Sequence, residues 1–203
     1  MIELQVFISA TVIAVLGFVP PGMMNMTVVK VALEQSKKKA LQFILGTLTI
    51  LFAQAFVAVS FSQFLTENPV IIKILSYLAI AVFFALSFMF YKNAKSQNVR
   101  EGLANGTFFS GIKMASLNML AVPFFLTNSI ILKSNKLFFS SLQNNLLFAF
   151  GALFGCFLVF FSYMLLANFI QRRAVFIAKN INYILSILFL FLAILASYKT
   201  FFA

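Results

Sequence analysis

The residues of this chain best suited to hold a solute are interruptions of helix rather than acids or bases. Residues 17 to 26 read GFVPPGMMNM, so Pro20, Pro21 and Gly22 fall inside an apolar stretch long enough to cross a membrane. Each proline removes a backbone donor and collides with the carbonyl four residues back, which kinks or breaks the helix close to the bilayer midplane. Backbone groups freed in hydrocarbon are costly unless they meet protein or a cavity, so the break must point inward. Its second half offers unpaired N–H groups to an anion, and its first half offers carbonyls to an ammonium. The two ends together suit a zwitterion such as an amino acid. Pro123, in SLNMLAVPFFLTN, offers a second such end, and an Asn accompanies each interruption: Asn25 after the first and Asn118 before the second. The expected substrate contacts are backbone groups at Pro21, Gly22 and Met23, the amides of Asn25 and Asn118, and a break from Ala121 to Pro123, with Gln54 lining the route. The methionines beside the first break read as flexible packing.

Reaction chemistry has little to work with. The chain has no His and no Asp, its four acidic residues are all Glu, and its single Cys lies within an apolar run. Hydrolytic or general acid–base catalysis needs a paired nucleophile and base, paired carboxylates or metal ligands. No enzyme activity, cofactor or resident metal is expected. Glu34 is the best candidate for coupling transport to a proton; the alternative is a solvated partner of Lys30 or Lys38 at helical spacing. A metal-cation exporter would want midplane carboxylates or soft ligands, of which there are one Cys and some Met. A membrane scaffold would need no broken helix.

The elements that must position these residues are membrane helices. Mean hydropathy is +1.04, and only 9% of residues are charged, against roughly 25% in an average soluble domain. Apolar stretches fall at about 4–29, 40–65, 70–91, 107–132, 146–169 and 181–200, each near the roughly 20 residues of a span. The expected fold is therefore all-α, a single transmembrane domain of six helices over 1–203, with helices one and four kinked or broken. Helix two, dotted with Gln42, Thr47, Thr49 and Gln54, should face inward. The start, MIELQVFISA, lacks the basic residues of a signal peptide and reads as part of a mature helix.

The net charge of +11 is carried in short loops, where it governs topology and meets anionic headgroups; nucleic acid is not an expected partner. The odd connections hold Lys30, Lys37, Lys38, Lys39, Lys92, Lys95, Arg100, Arg172, Arg173 and Lys179, against Lys133, Lys136 and Lys199 on the other side. That asymmetry places the odd loops in the cytoplasm and both termini outside. Three helices per half force the second half to enter from the opposite side, the topology of an inverted repeat, about 1–91 and 107–203. Gly151 and Gly155 form a GxxxG pair that reads first as packing within the chain and second as a homodimer contact.

At these residues the chain resembles the lysine/homoserine exporter family, the LysE/RhtB-type amino-acid exporters. The likeness rests on Pro21-Gly22-Met23 with Asn25 at the family's Pro-Gly-Pro motif, on SKKKALQFILG with Gly46 at a family glycine, and on Gly111 and Asn118 in FFSGIKMASLNMLAVPFF. Met23 and Met119 stand where relatives carry Pro, and Leu51 where many carry an acidic residue. The resemblance implies export of a small metabolite, typically an amino acid, across the bacterial inner membrane, driven by a proton gradient or by exchange.

Overall fold

The computed structural model describes residues 2–68, 70–71, 77, 80–81, 83–85, 87–89, 91–92, 107–118, 120–134, 137–138, 141–171, 186–187, 190–191 and 193–198. Among them there are helices and no strand. The expected spans 70–91 and 181–200 are described only in part, and Lys95, Arg100, Arg172, Arg173 and Lys179 lie outside the described residues. The chain divides into two compact units, Met1–Phe64 with Ala104–Arg172, and Leu65–Leu103 with Arg173–Ala203.

Among the described residues the first unit holds α1 (Ile2–Phe18), α2 (Met23–Glu34), α3 (Lys37–Glu67, which runs into the second unit from Leu65), α4 (Phe108–Ser116), α5 (Ala121–Ser134) and α6 (Leu142–Leu165). In α1 and α2 the apolar run continues on both sides of the gap, and only the prolines explain why the helix does not. The N–H of Val19 still reaches the Val15 carbonyl at 2.9 Å; beyond it Pro20 and Pro21 have no N–H to give. Helix resumes from Gly22, whose extended backbone (φ −110°, ψ 178°) is an N-cap with no side-chain hydrogen bond. The two halves meet at a bend of 77°.

The second interruption lies earlier than the sequence suggests. Helix α4 starts from a reciprocal cap, in which the Thr107 hydroxyl accepts from the Ser110 N–H and the Ser110 hydroxyl accepts from the Thr107 N–H, each at 3.2 Å. It ends at Ser116, and α5 begins at Ala121 after a 67° bend. The break is thus at residues 117–120, not from Ala121 to Pro123. Pro123 sits in the first turn of α5, where a missing N–H removes nothing the helix would have used.

Two single helices, Lys37–Leu65 and Leu142–Leu165, are long and apolar enough to cross a membrane, and each bent pair adds one more candidate if counted as one span. At about 1.5 Å per residue and the observed bends, α1 with α2 reaches about 34 Å end to end and α4 with α5 about 29 Å, close to a hydrocarbon core of about 30 Å. The bending therefore does not prevent either pair from spanning.

Close backbone approach holds these helices together. Gly151 and Gly155 lie against the carbonyls of Phe7 and Thr11 and the methyls of Ala10 and Ala14, so α6 runs along α1 with only small residues between. The Thr11 hydroxyl bridges them, donating to the Phe7 carbonyl at 2.8 Å and sharing the Gly151 carbonyl at 3.1 Å. The glycine pair is thus taken up inside the chain, and the second reading, a homodimer through Gly151 and Gly155, loses its surface. Helices α3 and α4 cross in the same manner: Gly46 meets the Phe108 carbonyl, and Gly111 meets the Phe43 carbonyl. At the far end of α6, Asn145 donates to the Ser60 hydroxyl of α3 at 3.3 Å.

In the second unit, Ser87 and Ser186 are both buried and bond reciprocally. The Ser87 hydroxyl donates to the Ser186 carbonyl at 2.9 Å, and the Ser186 hydroxyl to the Ser87 carbonyl at 3.0 Å.

Candidate functional site

An unbroken helix would satisfy the carbonyls of Phe18, Val19 and Pro20 with the N–H groups four residues on. The first break removes those donors, and side chains replace them. The Asn25 amide nitrogen donates to the Phe18 carbonyl at 2.7 Å and to the Pro20 carbonyl at 2.9 Å. The Tyr163 hydroxyl of α6 donates to the Val19 carbonyl at 2.7 Å. Three consecutive orphaned acceptors are thereby paired, which is what a break in an apolar surrounding demands.

This arrangement fixes the orientation of the Asn25 amide. Both carbonyls need its nitrogen, so its oxygen is turned the other way. Asn25 is 3% exposed, and its Oδ1 is buried without any hydrogen-bond partner. A buried acceptor left in this state costs about 1–3 kcal/mol.

The second break differs, because its Ala115 carbonyl already accepts from the Asn118 N–H at 3.0 Å, and a residue from another helix adds a further donor. The Gln54 amide nitrogen of α3 donates to the Ala115 carbonyl, in the last turn of α4, at 3.2 Å. Its Oε1 is also buried and unpartnered. These two amide oxygens are the buried side-chain polar atoms left unsatisfied among the described residues.

The breaks are neighbours in space. Phe18, the last residue of α1, lies edge-on to Phe124 at 6.1 Å and stacked on Phe125 at 6.0 Å, both in the first turn of α5, and edge-on to Phe160 of α6 at 6.0 Å. The Phe124 ring covers Gly17, where a Cβ would run into it. Aromatic side chains thus fill the junction in this conformation. A shallow apolar hollow of about 220 Å³ lies beside the first break, lined by Val15, Val19, Leu158, Val159, Ser162 and Tyr163.

The expected site residues divide accordingly. Asn25 and Gln54 face inward and hold the two breaks. Ala121 is buried at the start of α5, and Asn118 is half-buried in the second break, where its carbonyl accepts from the Ala121 N–H at 3.4 Å. Pro21 is half-buried, whereas Pro20, Gly22, Met23 and Pro123 are exposed. The inward surface of each break is made by carbonyls and an amide, and the rings of Pro20 and Pro123 point away from it. A Cβ on Gly22 would meet nothing within 4 Å, so the uncapped start of α2 opens onto free space. In α3, Gln42 and Thr49 are exposed, and only Thr47 and Gln54 face inward as expected. Glu34, the last residue of α2, is exposed, with no ion pair to Lys30 or Lys38. Leu51 is 1% exposed and belongs to the apolar core. No group of three or more potential metal ligands occurs among the described residues.

Sequence reasoning missed Tyr163, Phe18 and Phe124. Tyr163 had one available signal, a lone hydroxyl in the run LVFFSYMLL; nothing local ties it to a break 144 residues away. The two phenylalanines are indistinguishable by pattern from the others in the chain.

No family model, curated protein or solved structure matches this chain.

Proposed function

We propose that this protein is a secondary transporter that exports a small zwitterionic metabolite, an amino acid in the first instance, across a bacterial inner membrane. The observation that carries the reading is the pairing of two broken helices whose ends meet, each held open by an amide that leaves a buried oxygen unpartnered. Stability alone would favour two straight apolar helices, because breaks and orphaned acceptors cost free energy that packing must offset. Discontinuous helices meeting near the midplane are the arrangement in which transporters hold substrate and coupling ions.

The architecture we propose is the inverted repeat of two three-helix halves. In support, α1 and α4 end at Phe18 and Ser116, and α2 and α5 begin at Met23 and Ala121, 98 positions apart in both cases. A long helix follows each bent pair. The glycine contacts are exchanged between the halves, α1 with α6 and α4 with α3, and Ser87 and Ser186, 99 positions apart, bond reciprocally. Rocking of one half against the other would open the phenylalanine-filled junction to either side in turn. The likeness to the lysine/homoserine exporters points to the same activity, and the lysine-rich loops to termini outside the cytoplasm. Uncapped N–H groups at Met23 and Met24 would take the solute's carboxylate, and the carbonyl ends its ammonium.

Efflux from cells preloaded with mixed labelled amino acids tests this, comparing the parent with Pro21→Ala and Asn118→Leu. Export above background that falls in both variants is the expected result. Export no greater than in cells lacking the protein would refute it. Cations bound by carboxylate clusters are a weaker second reading, since no Asp or His exists in the chain.

A further inference from the structure

Gly17 differs in kind from the other close-packed glycines. At Gly46, Gly111, Gly151 and Gly155 an added Cβ would run into a backbone carbonyl of the neighbouring helix, which yields only if two helices separate. At Gly17 it would run into Cζ and both Cε atoms of Phe124, the far end of a side chain that can turn about χ1 and χ2. Glycine is a weaker helix former than alanine, so the last turn of α1 gives up stability to leave room for that ring. The surrounding rings are of two sorts. Phe125 and Phe160 are fully buried, and Phe125 stands edge-on to the buried Phe148, which makes a fixed floor. Phe18 and Phe124 lie against that floor half-buried. The backbone of Phe124 is held on both sides: its N–H donates to the Leu120 carbonyl at 3.1 Å, and its carbonyl accepts from the Asn128 amide at 2.8 Å. Movement here is movement of the ring, and because Gly17 itself stays exposed beside it, the ring has open space to turn into.

We propose that the Phe124 ring is the gate of the junction between the two breaks and that Gly17 is its seat. With the ring on Gly17, the end of α1 and the start of α5 are sealed from water; with the ring turned off it, water and solute reach the start of α5. The proposal rests on the transporter reading and deepens it by naming the side chain that alternates. The ring is held by edge-on aromatic contacts, to Phe18 at 6.1 Å and to Phe125 at 5.3 Å, and by its rest on the Gly17 backbone. Such contacts are individually weak, which keeps a second ring position within thermal reach. Ala121 is 2% exposed and lies one turn before Phe124 in α5, on the same side of the helix. It is the position that an open gate uncovers.

The reporter is Ala121→Cys combined with Cys156→Ser, which leaves a single thiol in the full-length chain. The probe is a quaternary-ammonium methanethiosulfonate, which stays in water and reacts with the thiolate. Labelling is expected to be slow with Gly17 and Phe124 in place. It should be about tenfold faster or more in Gly17→Ala, where a methyl takes the seat, and in Phe124→Ala, where the ring is gone, since an open state of about 0.1–10% becomes the main one. The double variant should label no faster than either single one, because both act through the same ring. Circular dichroism checks folding; if Phe124→Ala does not fold, Gly17→Ala decides alone. The proposal is overturned if Gly17→Ala fails to fold, which makes the ring a fixed part of the core, or if the folded variants label like the parent. Acceleration that adds up in the double variant also overturns it, since that marks general loosening of the bundle. Because no flux is measured, gated labelling without efflux removes the export reading alone, and efflux with ungated labelling removes this proposal alone.

Discussion

Replacing Asn25 with Ala tests the account of the first break most directly. The substitution strips the donors from two backbone carbonyls, Phe18 at 2.7 Å and Pro20 at 2.9 Å. Each buried acceptor left unsatisfied costs about 1–3 kcal/mol, for about 2–6 kcal/mol in all. Against this, Asn25 Oδ1 is already an unsatisfied buried acceptor, and removing it returns about 1–3 kcal/mol. The expected net loss is about 1–3 kcal/mol, less than the number of broken hydrogen bonds alone would suggest. Tyr163→Phe removes one donor, to the Val19 carbonyl at 2.7 Å, from a half-buried residue, and should cost about 1 kcal/mol. Since Asn25 and Tyr163 hold consecutive carbonyls of the same break, the double variant should depart from additivity by about 0.5 kcal/mol or more. Reversible unfolding in mixed detergent micelles, followed by far-ultraviolet circular dichroism, supplies the free energies. Asn25→Ala within about 0.5 kcal/mol of the parent, the range of an ordinary surface change, would refute the reasoning, because the break would then hold itself without side-chain donors.

Further outcomes follow from the helix contacts. Gly111→Ala places a methyl against the Phe43 carbonyl and the Thr47 N–H, which must separate α3 from α4 and cost about 1–3 kcal/mol in the same unfolding assay; it should also weaken Gln54 function, since Gln54 reaches Ala115 across that crossing. Gly151→Leu should destabilise the monomer without changing the oligomeric state measured by light scattering, because Gly151 faces α1 of its own chain. Glu34→Gln should leave efflux and its pH profile unchanged, as Glu34 is exposed at the end of α2; a shifted profile would return Glu34 to the coupling role.

How much of this was legible beforehand differs from residue to residue. Pro20 and Pro21 announce the first break correctly, because a missing N–H is a local property that no environment restores. Pro123 misleads by a few positions for a related local reason: proline is tolerated in a first turn, so it marks the start of the second half-helix and not the gap before it. Gly151 and Gly155 signal a close approach from sequence alone, but the same spacing serves a second chain or a neighbouring helix equally well. Gln42 and Thr49 show the limit of counting polar residues, since both bear polar groups in an apolar helix and both turn outward.

Composition and spacing by themselves determined that this chain is helical and apolar enough for a membrane, that its first long stretch is interrupted, and that it carries neither His nor Asp. These are properties of the chain's covalent makeup and of local backbone donors. Which side chains close the interruptions was decided only by tertiary structure, because Gln54 meets Ala115 across 61 positions and Tyr163 meets Val19 across 144. The orientation of the Asn25 amide, and with it the buried oxygen left without a partner, follows from which nearby carbonyls had lost their donors, and that depends on where the folded helices stop.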